Sequence, residues 1–279
     1  MAVMALEQVQ VTLPDGKARS YPRGVALADI VRSIGPGLAR DAVAAVVDEE
    51  ILDLGRKLDH DARLRVLTAK DPEALDVLRH STAHLTAHAV KDLFPEVQIG
   101  IGPVTDGGYY YDFLRPEPFT PEDLEKIETR MREIVAKDLP IERVEGPKAE
   151  ALKLFEGQHD ALKVELVTEK GGDVVSCYRQ GEFVDFCLGP HVPSTGKIKA
   201  FKLLSVAGAY WKGDQRNAQL QRIYGISFFK QEDLDAYLRT REEADKRDHR
   251  KLGRSLDLFS FHPEAPASPF FHPKGAIVY

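Results

Sequence analysis

The sequence predicts an α+β protein of more than one domain, and three observations carry that prediction. Apolar residues alternate with period two at Val9, Val11 and Leu13, and again at Tyr109, Tyr111 and Phe113, as half-buried strands require. Other stretches carry helical spacing behind start signals such as Asp71-Pro72-Glu73 and Thr120-Pro121-Glu122-Asp123. The length, 279 residues, exceeds what one small domain needs, so two or three are expected.

In order, Val9 to Leu13, a Pro14-Asp15-Gly16 turn and Ala18 to Tyr21 read as a β-hairpin. A short helix follows from Ala26 to Ile34, with Leu27, Ile30, Val31 and Ile34 on one face, stopped by Gly35-Pro36-Gly37. Ala42 to Val47 and Arg63 to Leu67 read as further strands. Hairpin, helix and strands in this order suggest a ubiquitin-like β-grasp module over residues 1–69. Its one histidine, His60, sits in a charged loop, so the module reads as a binding or docking unit.

Asp71 then opens a helix running to about Phe94, with a capping side chain, a first-turn proline and an acid near the positive dipole end. A glycine-rich run, Ile99 to Pro103, precedes the tyrosine-bearing strand. Thr120 opens another helix, with Leu124, Ile127, Met131 and Ile134 on its apolar face. Leu162 to Leu166 reads as a period-two strand with Lys163 on the opposite face from the leucines. Ser205 to Asp214 and Leu220 to Gly225 read as two strands around a loop. Asp233 starts a charged helix that extends to Lys251. Four prolines between Pro263 and Pro273 read as a linker or the edge of a new domain.

Composition bounds the function. At 43% hydrophobic and 29% charged the chain is ordinary globular protein. A net charge of −6 excludes a broadly basic coat for nucleic acid but leaves room for a local basic face. Two cysteines, Cys177 and Cys187, are too few for a disulfide framework and fit a reducing cytoplasm. No apolar run reaches a membrane span and no signal pattern opens the chain, so a soluble cytoplasmic protein is expected.

Chemistry concentrates in two stretches. His80-Ser81-Thr82-Ala83-His84 places two imidazoles one helical turn apart on one face. Cys187-Leu188-Gly189-Pro190-His191 adds a thiol and an imidazole around a Gly-Pro turn. That inventory suits either a zinc site or a metal-free, water-activating cluster. His88 extends the same helix face, so a plain histidine stripe is the structural reading to set beside it. On period two, Asp185 and Cys187 share a strand face.

On these residues the chain resembles the N-terminal half of the bacterial threonyl-tRNA synthetases. The likeness is densest at His80 to His84, Ile101-Gly102-Pro103, Tyr110-Tyr111-Asp112, Asp185 to Pro193, Ala207 to Asp214, Leu220 to Gly225 and Lys246 to Lys251. It implies a TGS (β-grasp) domain at 1–69, an editing domain of the threonyl/alanyl type at 70–230 and a linker helix at 231–262. Residues 263–279 would begin a truncated class II catalytic domain. The resemblance further implies hydrolysis of mischarged seryl-tRNA(Thr). Serine lacks one methyl of threonine, which is worth only about 1–3 kcal/mol to a binding pocket.

By the same resemblance His80, His84, Lys163, Asp185, Cys187 and His191 are the catalytic candidates, and Tyr111, Gly102 and Asp185 the substrate-binding ones. Lys163 would offset charge on the ester, and Asp185 would recognise the seryl group. The expectation taken forward is a metal-free site, with zinc at His80, His84, Cys187 and His191 as the alternative. ATP, Mg and a catalytic zinc would belong to the missing catalytic domain. The expected partner is the tRNA(Thr) 3′ end, with no membrane, and a homodimer for the full-length protein. The rival functions are a free-standing trans-editing deacylase and a non-catalytic tRNA-binding module.

Overall fold

The computed structural model describes residues 7–278. The chain divides into two compact units, one ending at Lys230 and one beginning at Gln231.

In the first unit, β1 (Gln8–Thr12) and β2 (Ala18–Pro22) form the expected hairpin. Its turn needs a left-handed residue, and Gly16 supplies it at φ +80°. Next come β3 (Val25–Ala26), α1 (Leu27–Ile34), α2 (Pro36–Asp41), β4 (Ala42–Val47), β5 (Glu50–Leu52), β6 (Lys57–Leu58) and β7 (Ala62–Thr68). The sheet order is β2-β1-β7-β4-β5, with β1 and β7 parallel at its centre. Leu27, Ile30 and Val31 of α1 close the core over Val9, Val11, Ala45, Val47 and Leu64. This is a β-grasp domain. One expectation is corrected: Pro36 does not merely end α1 but starts a second short helix, as proline at a first helical position can.

The long helix α3 (Pro72–Leu93) is buried on nearly every side. A helix of that kind sits at the centre of its domain. Ser81, Thr82 and Thr86 tolerate burial because each hydroxyl donates to the carbonyl four residues earlier, at 2.7, 2.8 and 3.0 Å. Asp71 stands at the N-cap but does not cap the helix with its side chain. Its carboxylate instead accepts from the backbone and hydroxyl of Thr68, at 2.8 and 3.0 Å.

Around α3 run β8 (Gln98–Ile99), β9 (Val104–Thr105), β10 (Gly108–Leu114), α4 (Pro121–Ala136), β11 (Ile141–Pro147), α5 (Lys148–Gly157) and α6 (Ala161–Lys170). Then come β12 (Val174–Gln180), β13 (Phe183–Phe186), β14 (Ala200–Tyr210) and β15 (Gln219–Phe228). One antiparallel sheet runs β14-β15-β10-β8 with β9 also on β10, and a second runs β11-β12-β13. Tyr109, Tyr111 and Phe113 turn from the first sheet into the core with Leu85, Ala89, Ile127 and Met131.

Lys163 is the main correction. It lies in the first turn of α6, not on a strand. Leu162 and Leu166 satisfy helical spacing as well as alternation, and so short an apolar run cannot separate the two. The deciding residue is Asp160, whose carboxylate accepts from the Lys163 backbone at 3.1 Å and from that of Ile99 at 2.8 Å. It caps α6 and ties it to β8.

In the second unit the charged helix is broken into α7 (Gln231–Lys246) and α8 (His249–Ser255), the latter capped by Asp248. The proline-rich stretch is not an irregular linker. It forms a hairpin of β16 (Phe259–His262) and β17 (Ala265–Phe271), followed by α9 (Pro273–Val278). Among the described residues no helix is long and apolar enough to cross a membrane.

Candidate active site

Two stretches far apart in sequence meet at one end of α3. His80 and His84 project from the same face, their ring centroids 5.1 Å apart. The segment after β13 brings His191 within 4.4 Å of both rings. Cys187 Sγ lies 3.3 Å from His80 Nε2 and accepts from the Gly189 backbone at 3.2 Å. A cavity of about 320 Å³ opens here, bordered by His80, His84, Gly102, Tyr111, Lys163 and Cys187. Gly102 is required by close approach, since a Cβ there would collide with the Tyr111 ring. Exposed Lys170 and Leu188, the latter 79% accessible, stand at the mouth. A larger hollow of about 610 Å³ on the β-grasp domain is bordered by Thr12, Glu49 and Arg65 and holds neither imidazole nor thiol.

A polar chain joins the cavity wall to a carboxylate behind it. Lys163 Nζ is 2.5 Å from Asp185 Oδ1 and donates to the Tyr111 hydroxyl at 3.2 Å. That hydroxyl donates to Asp185 Oδ2 at 2.5 Å, and His84 Nδ1 lies 3.3 Å from the same oxygen. Lys163 is 2% exposed and Asp185 not at all. Asp185 therefore does not border the cavity, and all its partners are protein groups.

Burial sets the protonation states. It lowers His80 to about 4 and His84 to about 3, and takes His191 well below its ordinary value, so all three imidazoles are neutral near pH 7. Burial pushes the Cys187 thiol up to about 12, which removes it as a ready nucleophile. Burial would also raise Asp185, but the charge of Lys163, with the hydrogen bonds from Lys163 and Tyr111, outweighs it and holds the carboxyl below the usual range.

The donor set suits a metal. The ligand atoms of His80, His84, Cys187 and His191 lie within 4.8 Å of one another. Ser81 donates its proton to Val77, so it must accept from His191 Nδ1 at 3.2 Å. His191 Nε2 is then left as a buried, unprotonated nitrogen that makes no hydrogen bond. Thiol and imidazole donors on one point fit zinc.

Every candidate residue named from the sequence meets here, while His88 does not. It stacks on Phe183 with its ring 8° from parallel, and its Nδ1 is 3.4 Å from Gln180, a packing role. Sequence reasoning missed the groups that hold the Cys187–His191 segment. Ser81, inside the His-x-x-x-His stretch, accepts from the Val192 backbone at 2.9 Å. Ser176 donates to the Cys187 carbonyl at 2.6 Å, and Arg143 to the Leu188 carbonyl at 2.8 Å. Asp53 accepts from the His191 backbone at 2.6 Å across a gap of 138 residues, which no local pattern could have announced.

Residues 9–68 match the TGS domain family, and residues 175–224 match the family described as the threonyl and alanyl tRNA synthetase second additional domain. The chain is also similar to proteins named threonine--tRNA ligase. It is 53% identical over 274 residues to that of Geobacter sp. (strain M21), covering 98% of this chain and 43% of the relative. To that of Paraburkholderia phymatum it is 53% identical over 268 residues, 96% of this chain and 42% of the relative. To that of Laribacter hongkongensis it is 54% identical over 266 residues, 95% and 42%. The chain thus spans about two fifths of the length of the relatives it matches.

Proposed function

We propose, for a chain that carries a TGS domain and a second additional domain and corresponds to the N-terminal part of threonine--tRNA ligases, that its cavity removes wrongly attached serine from tRNA(Thr). The observation that carries this reading is the meeting of two neutral imidazoles, His80 and His84, with Lys163 and Tyr111 at one cavity, Asp185 holding the latter pair from behind.

Water attacks the seryl carbonyl carbon, and a neutral imidazole at the wall, His80 or His84, takes its proton. Negative charge grows on the carbonyl oxygen. Lys163, held in place by Asp185 and Tyr111, lies at the wall to offset it. The bond from the carbonyl carbon to the ribose oxygen then breaks, and the proton returns to that oxygen. Serine and free tRNA leave. Asp185, being covered, acts by holding Lys163, not by touching the seryl group. The Cys187 thiol, being neutral, serves as a wall and not as the attacking group. Threonine is refused because its extra methyl must fit a wall already packed by Gly102 and Tyr111.

His80, His84, Cys187 and His191 would hold zinc, which would supply a Lewis acid at the ester. The route above uses Lys163 for that purpose. We read residues 1–69 as the TGS domain, 70–230 as the editing domain, 231–262 as the linker and 263–279 as the start of a catalytic domain. The full-length protein is then a cytoplasmic homodimer that ligates threonine to tRNA(Thr), with its ATP, Mg and catalytic zinc sites outside this chain.

The test is single-turnover deacylation with the chain in excess over seryl-tRNA(Thr) or threonyl-tRNA(Thr), each run with and without a chelator. Serine should be lost fast in both conditions and threonine retained. Bound but uncleaved seryl-tRNA would overturn the reading. Activity abolished by the chelator and restored by zinc would replace Lys163 with the metal as the electrophile.

A further inference from the structure

One grip on the Cys187–His191 segment comes from the β-grasp domain. Asp53, in the turn after β5, is 9% exposed and has both carboxylate oxygens engaged by the neighbouring domain. Oδ1 accepts from the His191 backbone N–H at 2.6 Å, and Oδ2 from the Tyr178 hydroxyl at 2.5 Å. The Tyr178 ring packs 4.3 Å from the His191 imidazole. One carboxylate therefore fixes both the backbone that carries the imidazole and the ring it leans on. Arg143 completes the clamp, donating to the Tyr178 hydroxyl at 3.2 Å and to the Leu188 carbonyl. Gly189 fits the same arrangement, with φ +78° and the Tyr178 hydroxyl where a Cβ would stand.

A carboxylate that served only to join two domains would need no alignment with the cavity. Here its two bonds converge on the one imidazole that closes the cluster from outside α3. We propose that Asp53 is a positioning residue of the hydrolytic site, so that the β-grasp domain supplies part of the site's framework. The proposal rests on the hydrolysis put forward above, and its second readout is independent of that activity.

The experiment compares Asp53→Ala, Asp53→Asn and Tyr178→Phe with the unaltered chain. His191 packs 4.4 Å from both His80 and His84, so its displacement is passed to the ring that takes the proton. A misplacement of about 1 Å there costs about 100-fold in rate. Asp53→Ala should therefore lower the single-turnover rate constant for seryl-tRNA(Thr) by about that factor, with the dissociation constant for the tRNA unchanged. Asp53→Asn keeps an acceptor for the His191 N–H and should recover most of the rate. Tyr178→Phe, which leaves that N–H bonded, should lose less than Asp53→Ala. The activity-independent readout is the His191 amide proton resonance in ¹⁵N-labelled protein. It should shift strongly in Asp53→Ala and stay near its original place in Asp53→Asn. If Asp53→Ala does not fold, the asparagine and phenylalanine variants carry the comparison. Unaltered rates with an unmoved His191 amide would overturn the proposal. If the unaltered chain fails to cleave the ester, the hydrolytic reading falls, and the positioning role falls with it even where the amide has moved.

Discussion

Lys163 and Asp185 form a buried pair in which either charge alone is costly. Removing one partner of such a pair leaves the other uncompensated, at about 3–5 kcal/mol. Lys163→Met should therefore lower stability by about that amount, read as the shift of a urea midpoint. Adding Asp185→Asn should recover much of the loss, because no isolated charge remains. A double variant no more stable than Lys163→Met would mean that the pair is not the reason for the loss. The pair also decides which substitution probes the chemistry cleanly: His80 borders the cavity, and its removal strands no charge. The sequence announced the cluster well, since imidazoles one turn apart and a thiol beside Gly-Pro are rare patterns. It could not announce that Asp185 lies behind the wall. A carboxylate on the right face of a strand looks the same whether it meets a substrate or a lysine.

At the scale of single elements, legibility followed the length of the pattern and the presence of a cap. The helix after Asp71 was readable over 22 residues, and β4 matched its expected limits. The segment around Lys163 was too short for periodicity to choose, and its cap, Asp160, has Lys163 three residues on where a capping box would need an acid or amide. By contrast, α4 opens on a complete capping box: Thr120 accepts from the Asp123 backbone at 3.2 Å, and Asp123 accepts from that of Thr120 at 3.2 Å. Loss of such a cap costs about 1 kcal/mol. Thr120→Ala should thus move the unfolding midpoint by about that amount while leaving the deacylation rate unaltered, because α4 carries none of the cavity's residues. A change in rate of tenfold or more would link α4 to the site by a route absent from these contacts.

For the molecule as a whole, the buried imidazoles make stability depend on pH. His84, His88 and His191 are all lowered chiefly by burial, His84 to about 3, from an ordinary 6.5. The sign follows from which state takes up protons. Above pH 6.5 both folded and unfolded imidazoles are neutral, and stability is complete. Below 6.5 the unfolded chain protonates while the folded one does not, so stability falls toward the folded values. Each such group removes about 1.4 kcal/mol per pH unit in that window. Urea midpoints should hold steady from pH 8 to 7 and fall steeply from 6.5 to 5, with a shallower slope in His88→Gln. A flat profile across that range would mean that these rings are not held neutral.

The parallel pairing of β1 with β7 also has a consequence for synthesis on the ribosome. The first strand cannot take its place in the sheet until the seventh, ending at Thr68, has emerged. Domains made first generally fold first. Asp53 is thus already fixed in a finished domain when the Cys187–His191 segment leaves the exit tunnel. The late-made segment then closes onto a template, so the cavity is assembled against a surface that is already rigid.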